Sequence, residues 1–136
     1  MRRPDGQHHR DAGSSAIELV LLTPLLIVIV FGLVQAALVW HAQHVVDAAA
    51  QQGARLERVD AGTAAGAPTD PATVRTETIS YLHQLGADLV GQPAVSVART
   101  PGWVTVTVTG HAVSLLPGAT LSVHATSRGP VEAFRP

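Results

Sequence analysis

From Ile17 to Val39 the chain is almost wholly apolar, with only Glu18, Thr23 and Gln35 breaking the run. At the rise of an α-helix these ~23 residues span roughly 34 Å, enough for a bilayer hydrocarbon core of about 30 Å. A soluble helix of this length keeps a polar face, and Leu25 to Val34 has none, so the pattern predicts a membrane span rather than a buried core helix. The helical pattern does not stop at the end of the run. His41 to Arg58 contains no proline, and Val45, Ala49 and Leu56 recur at helical spacing. One helix from Ser14 to about Val59 would be roughly 69 Å long, more than a bilayer needs. Pro24 has no N–H for the Val20 carbonyl and predicts a kink in the first third. Small residues stand four apart at Gly32 and Ala36, and again at Ala49 and Gly53, a spacing that lets another backbone come close.

Beyond this helix the periodicity changes twice. Ala61 to Thr69 is rich in glycine, alanine and threonine and reads as a loop, closed by Asp70 as N-cap and Pro71 in the first turn. Val74, Ile79, Leu82, Leu85 and Leu89 then form an apolar stripe, with Arg75, Glu77 and Gln84 off it, which predicts a second, amphipathic helix. From Pro93 the period is two. Val95 and Val97, a turn at Thr100 to Gly102, and Val104, Val106 and Val108 alternating with threonines predict a hairpin. Val113 and Leu115 suggest a further strand, Pro117 and Gly118 a turn, and Leu121, Val123 and Ala125 a last strand. A small antiparallel sheet of three to four strands with one apolar face needs a cover, which the two helices can supply. The fold class expected is therefore α+β. The other sheet face, carrying Thr105, Thr107, Thr109, Ser122 and His124, is expected to meet solvent.

Composition sharpens this picture. The chain has 136 residues, 46% of them hydrophobic and 14% charged, and the apolar excess lies mainly in the one N-terminal run. All nine basic residues are arginine, and the net charge is −1, so no field gathers phosphates and nucleic acid is not expected as a partner. Arg2, Arg3 and Arg10 precede the apolar run, and the first arginine after it is Arg55. The positive-inside bias then puts the N-terminus in the cytoplasm and the C-terminal part outside, with Trp40 as outer interfacial anchor. A secretory signal peptide is the competing reading, since Val34, Gln35 and Ala36 would allow cleavage before Ala37. Its apolar region would be long, and the helical pattern runs through the cut without a breaker.

Glu18 lies at the membrane edge, where a carboxylate at depth costs about 2.5–3.5 kcal/mol unless it finds the interface or a partner. Its setting suggests a partner. Gly13, Ser14, Ser15, Ala16, Ile17 and Glu18 follow a short basic leader and open the apolar run. This resembles the processing site of type IV pilin-like proteins, which implies cleavage by a membrane aspartyl peptidase after Gly13. A new amino group at Ser14 would stand one helical turn from Glu18. The stretch Leu22, Thr23, Pro24, Leu25, Leu26 and the later Ala48 to Arg55 make the likeness closer. Together they resemble the TadE family, minor pseudopilins of the tight-adherence (Tad/Flp) pilus assembly system. Departures are Ile17 for the usual valine, Leu19 for the usual phenylalanine, and Gln52 where an acid is common.

The resemblance implies a leader over 1–13, a membrane-spanning and extended pilin-like helix over 14–60, and an exported α+β domain over 61–136. It implies a prepilin peptidase and other Tad pilus components or pseudopilins as partners in the inner membrane. Glu18 would pair with an N-terminal amine of its own or a neighbouring chain. The alternative is a bitopic anchor whose exported domain binds envelope components or a secretion complex.

Chemistry of other kinds finds little support. There is no cysteine, no phosphate-binding glycine loop and no paired-carboxylate motif. His41 and His44 could share a helix face but lack a third ligand, and His83, His111 and His124 are isolated. His8 and His9 fall in the leader. No metal, no cofactor, no small-molecule substrate and no enzymatic activity are expected.

Overall fold

A computed structural model describes residues 11–61, 70–86 and 88–130. The basic leader up to Arg10 and the loop from Gly62 to Thr69 lie outside them. The elements are helix α1 (Asp11–Ala61), helix α2 (Pro71–Gly86) and strands β1 (Val90–Thr100), β2 (Trp103–Ala112) and β3 (Leu121–Pro130). This is the α+β architecture expected, with α1 beginning three residues before Ser14. The chain divides into two compact units, Met1–Gln35 and Ala36–Pro136.

In the first unit the described residues are helical throughout, and Pro24 sits inside the helix. The large apolar side chains from Ile17 to Val34 expose between 45% and 71% of their surface. No described residue of this unit covers them. The segment belongs to the one described helix long and apolar enough to cross a membrane.

In the second unit α1 is amphipathic in a particular way. Ala42, Val45, Val46, Ala49, Ala50, Gly53, Ala54 and Glu57 are buried, spaced by three and four as a single helical stripe demands. Most of these residues are small, so the helix axis lies close to what it packs on. That partner is the apolar face of a three-stranded antiparallel sheet in the order β1-β2-β3. Val106 and Val108 of β2 and Val123 and Ala125 of β3 meet the alanines of α1, and Leu82 of α2 joins the same core.

Helix α2 starts where Asp70 caps it: its carboxylate accepts from the Ala72 N–H at 3.1 Å, and Pro71 occupies the first helical position. The buried stripe is Val74, Thr78 and Leu82. Leu85, expected on this stripe, is 43% exposed instead, and Thr78 takes a core position. Thr78 lies one turn from both Val74 and Leu82 and so faces the core, whereas Leu85, eleven residues after Val74, keeps the same side by rotation but falls in the last turn of the helix, where it is less covered. The Thr78 hydroxyl is buried without a hydrogen-bond partner among the described residues, a situation that costs about 1–3 kcal/mol. Thr78→Val keeps the shape and removes the orphaned hydroxyl. We expect it to stabilise the unit by about 1 kcal/mol, seen as a higher thermal midpoint of the full chain in detergent, and a lowered midpoint would contradict this.

The strands form a meander. Thr100 faces Trp103 across a two-residue turn in which Gly102 has φ 79°, a conformation that Pro101–Gly102 supplies at little strain. Val97 opposes Val106, and Val95 opposes Val108, so the apolar sides coincide. Strand β1 begins at Val90, earlier than the expected Pro93, and carries a bulge between Gly91 and Ala94 where Gln92 has φ 50°. Val113 and Leu115 do not form the further strand expected of them. The Ser114 side chain turns the chain locally, its Oγ accepting from the Leu116 N–H at 3.1 Å and donating to the Leu116 carbonyl at 3.0 Å. Such side-chain bonds compete with a ladder, and Pro117 and Gly118 complete the turn into β3.

The edges are modified on both sides. The bulge with Pro93 interrupts β1, and on β3 the Gln43 amide donates to the His124 carbonyl at 2.7 Å. On the solvent face Thr107 and Thr126 share a hydroxyl contact of 3.1 Å, and the Arg128 guanidinium lies 4.4 Å over the Trp103 ring.

Candidate assembly segment on the first helix

Gly13 and Ser14 lie in the first turns of α1, with backbone helical through Asp11 to Ala61. Glu18 stands four residues after Ser14, one helical turn along, and is exposed. It makes no hydrogen bond or ion pair with another described residue. An exposed carboxylate at the head of an apolar helix is open to a partner, and a helical amine one turn away is within its reach. The other polar interruptions differ from it. The Thr23 hydroxyl donates to the Leu19 carbonyl at 2.6 Å, one residue before Pro24, which has no N–H to offer Val20. The bond satisfies the hydroxyl within an apolar helix, while the Val20 carbonyl is the acceptor that Pro24 leaves without its usual donor. Gln35 is buried.

The two small-residue pairs separate clearly. A Cβ built on Gly32 would meet nothing within 4 Å, whereas one built on Gly53 would lie 2.6 Å from the Thr78 hydroxyl and 3.0 Å from a Val106 methyl. The pair Ala49 and Gly53 is therefore used inside the fold, bringing α2 and β2 against α1.

Sequence reasoning missed one interaction altogether. Glu57 is buried on α1, and its carboxylate receives two hydrogen bonds from Arg99 of β1, Nε to Oε2 at 3.0 Å and Nη2 to Oε1 at 2.8 Å. The geometry is the bidentate fork that favours arginine over lysine. No local pattern marks it, because the partners are 42 residues apart; a glutamate four residues beyond Gly53 on the small-residue face was the available signal.

Nothing described resembles a reaction centre. Among the described residues no group of three or more His, Cys, Asp or Glu side chains comes together. His41 lies on α1, and the His44 ring meets that of Trp40 at a tilt of 59° with centroids 5.2 Å apart. A shallow groove of about 230 Å³ between α1 and α2, lined by Gln52, Leu56, Glu77, Ser80, Tyr81 and Gln84, holds a single carboxylate.

No curated protein and no solved structure matches the chain. The family model for TadE-like proteins does match, from residue 13 to residue 55. That stretch opens at Gly13, contains Glu18, Pro24 and the whole apolar run, and closes two residues after Gly53; over these residues the chain is similar to TadE-like proteins.

Proposed function

We propose that the chain is a minor pseudopilin that helps initiate or anchor Tad/Flp pilus assembly in the inner membrane. The observation that carries this reading is the coincidence of the TadE-like segment, beginning at residue 13, with an apolar helix whose exposed acid stands one turn beyond Ser14. In this mechanism the leader over 1–13 lies in the cytoplasm, and a prepilin peptidase cuts between Gly13 and Ser14. The helix spans the membrane, and the α+β domain over 61–136 is exported. The amine freed at Ser14, on its own or a neighbouring chain, then neutralises Glu18 and removes the cost of about 2.5–3.5 kcal/mol for a lone charge at depth. Pro24 bends the helix near this pairing site. The role is structural, through insertion and lateral helix contact with other pseudopilins, without cofactor, metal or small-molecule substrate.

Sequencing the mature N-terminus tests the first step. Ser14 is the expected first residue. An intact Met1 would leave a bitopic anchor whose domain binds envelope components, and a start at Ala37 would mean a secreted protein. The second step is tested by Glu18→Ala, which should be inserted and folded as the wild type yet fail to support piliation. Normal pili in that variant would rule out the pairing.

A further inference from the structure

Among the described residues, the large apolar side chains exposed in the second unit are not scattered. They are Trp40, Leu85, Trp103, Val113, Leu115 and Leu116, and all but Trp103 collect at one end. Contacts fix which end this is. Gly86, just after Leu85, approaches Val45 of α1, and the Val113 N–H bonds the Leu89 carbonyl at 3.1 Å. Ala112 pairs with both Val90 and Leu121, so the β2–β3 turn closes the sheet beside the first buried turns of α1 at Ala42 and Val45. This is where the chain enters the unit, directly after the apolar run. Leu116, the most exposed of the large apolar residues in the turn, shows 55% of its surface.

Charge is sorted the opposite way. Arg99 binds Glu57, Arg58 lies against Gly129, and Arg128 covers Trp103, all towards the far end of α1. Arg55 and Arg75 belong there as well, by their places on α1 and at the start of α2. The β2–β3 turn carries no charge, and the turn before β1 carries Asp88 alone among its described residues. The uncharged apolar β2–β3 turn beside Trp40, with the described arginines of this unit at the other pole, fits a bilayer boundary, with Asp47 of α1 and Asp88 the acids at the same end.

We propose that the β2–β3 turn, through Val113, Leu115 and Leu116 with Leu85 beside it, inserts into the headgroup and acyl boundary of the bilayer that α1 spans. The α+β unit thus rests on the membrane with its sheet end down, held at two places rather than swinging on a single helix. The inference depends on α1 spanning the bilayer.

The chain has no cysteine, so single-cysteine variants of the full protein take an environment-sensitive dye cleanly. Leu115→Cys, Leu116→Cys, Leu33→Cys in the apolar run and Ala98→Cys near the far end would be reconstituted in phosphatidylethanolamine–phosphatidylglycerol vesicles. A fraction of the lipid would carry a doxyl quencher near the headgroup. Dyes at 115 and 116 should emit to the blue and be quenched several-fold more than the dye at 98. If 33 is shielded in lipid but 115 and 116 behave like 98, the turn does not insert and the inference fails while the span stands. If 33 also emits as in water, the spanning reading itself fails. A blue shift at 116 without lipid quenching would place a protein on this patch and overturn the proposal.

Discussion

Gly53→Leu is expected to unfold the α+β unit or bring it close to unfolding. The Cβ alone would overlap the Thr78 hydroxyl at 2.6 Å and press on Val106 at 3.0 Å. Neither neighbour can retreat easily. Thr78 is fully buried and β-branched, with a side chain restricted at χ1 in a helix, and Val106 is fully buried in the central strand. Alanine at this position gains about 1 kcal/mol of helix propensity against that overlap, so Gly53→Ala should be mildly destabilising. Leucine adds three more carbons to the same space, and overpacking of this kind costs about 1–3 kcal/mol or more. A small unit has little stability to lose, so the midpoint for chemical unfolding in detergent should fall steeply or the transition vanish. Gly53→Leu combined with Thr78→Ala should recover part of the loss. A wild-type midpoint for the single variant would mean that α1 and α2 do not pack as closely as described.

Arg99→Ala should come next in size. It strands the Glu57 carboxylate, whose side chain is only 3% exposed, without the two hydrogen bonds that it receives now. Breaking a buried pair in this way typically costs about 3–5 kcal/mol. The Arg99 side chain is 33% exposed, so water can follow it out and the lower part of that range applies. At about 4–8 °C per kcal/mol for a unit of this size, the thermal midpoint should drop by more than about 10 °C. Glu57→Gln, which keeps the volume and leaves a guanidinium that solvent can reach, should cost less. The asymmetry is the informative result: equal losses, or a larger one for Glu57→Gln, would show that the pair is solvated on both sides.

The elements were legible in the sequence where a period persists. The apolar run, the Asp70–Pro71 helix start and the alternating valines of β2 each have one physical solution, and the structure adopts it. Legibility failed where a short polar side chain decided the outcome. Ser114 folds its neighbours into a turn, so the apolar alternation at Val113 and Leu115 yields no strand. Thr78 is buried because of its place in the helical rotation, which composition alone conceals. The long-range pair Glu57–Arg99 leaves no periodic trace. For the segment proposed as a processing site the reverse holds: Gly13, Ser14 and Glu18 carry a chemical pattern that a sequence displays plainly, and the fold adds that the acid is exposed one turn beyond Ser14.

The two altered sheet edges bear on how copies of such a chain could meet. Adding a strand requires a run of free, evenly spaced backbone donors and acceptors on a flat rim. Along β1 the bulge at Gly91 to Ala94 breaks the spacing and Pro93 has no donor, while on β3 the His124 acceptor is already taken by Gln43. Neither rim is a good template for a fourth strand. Recruitment by β-augmentation is therefore disfavoured, and sheet-to-sheet polymerisation of the kind that seeds aggregates is resisted by the same two devices.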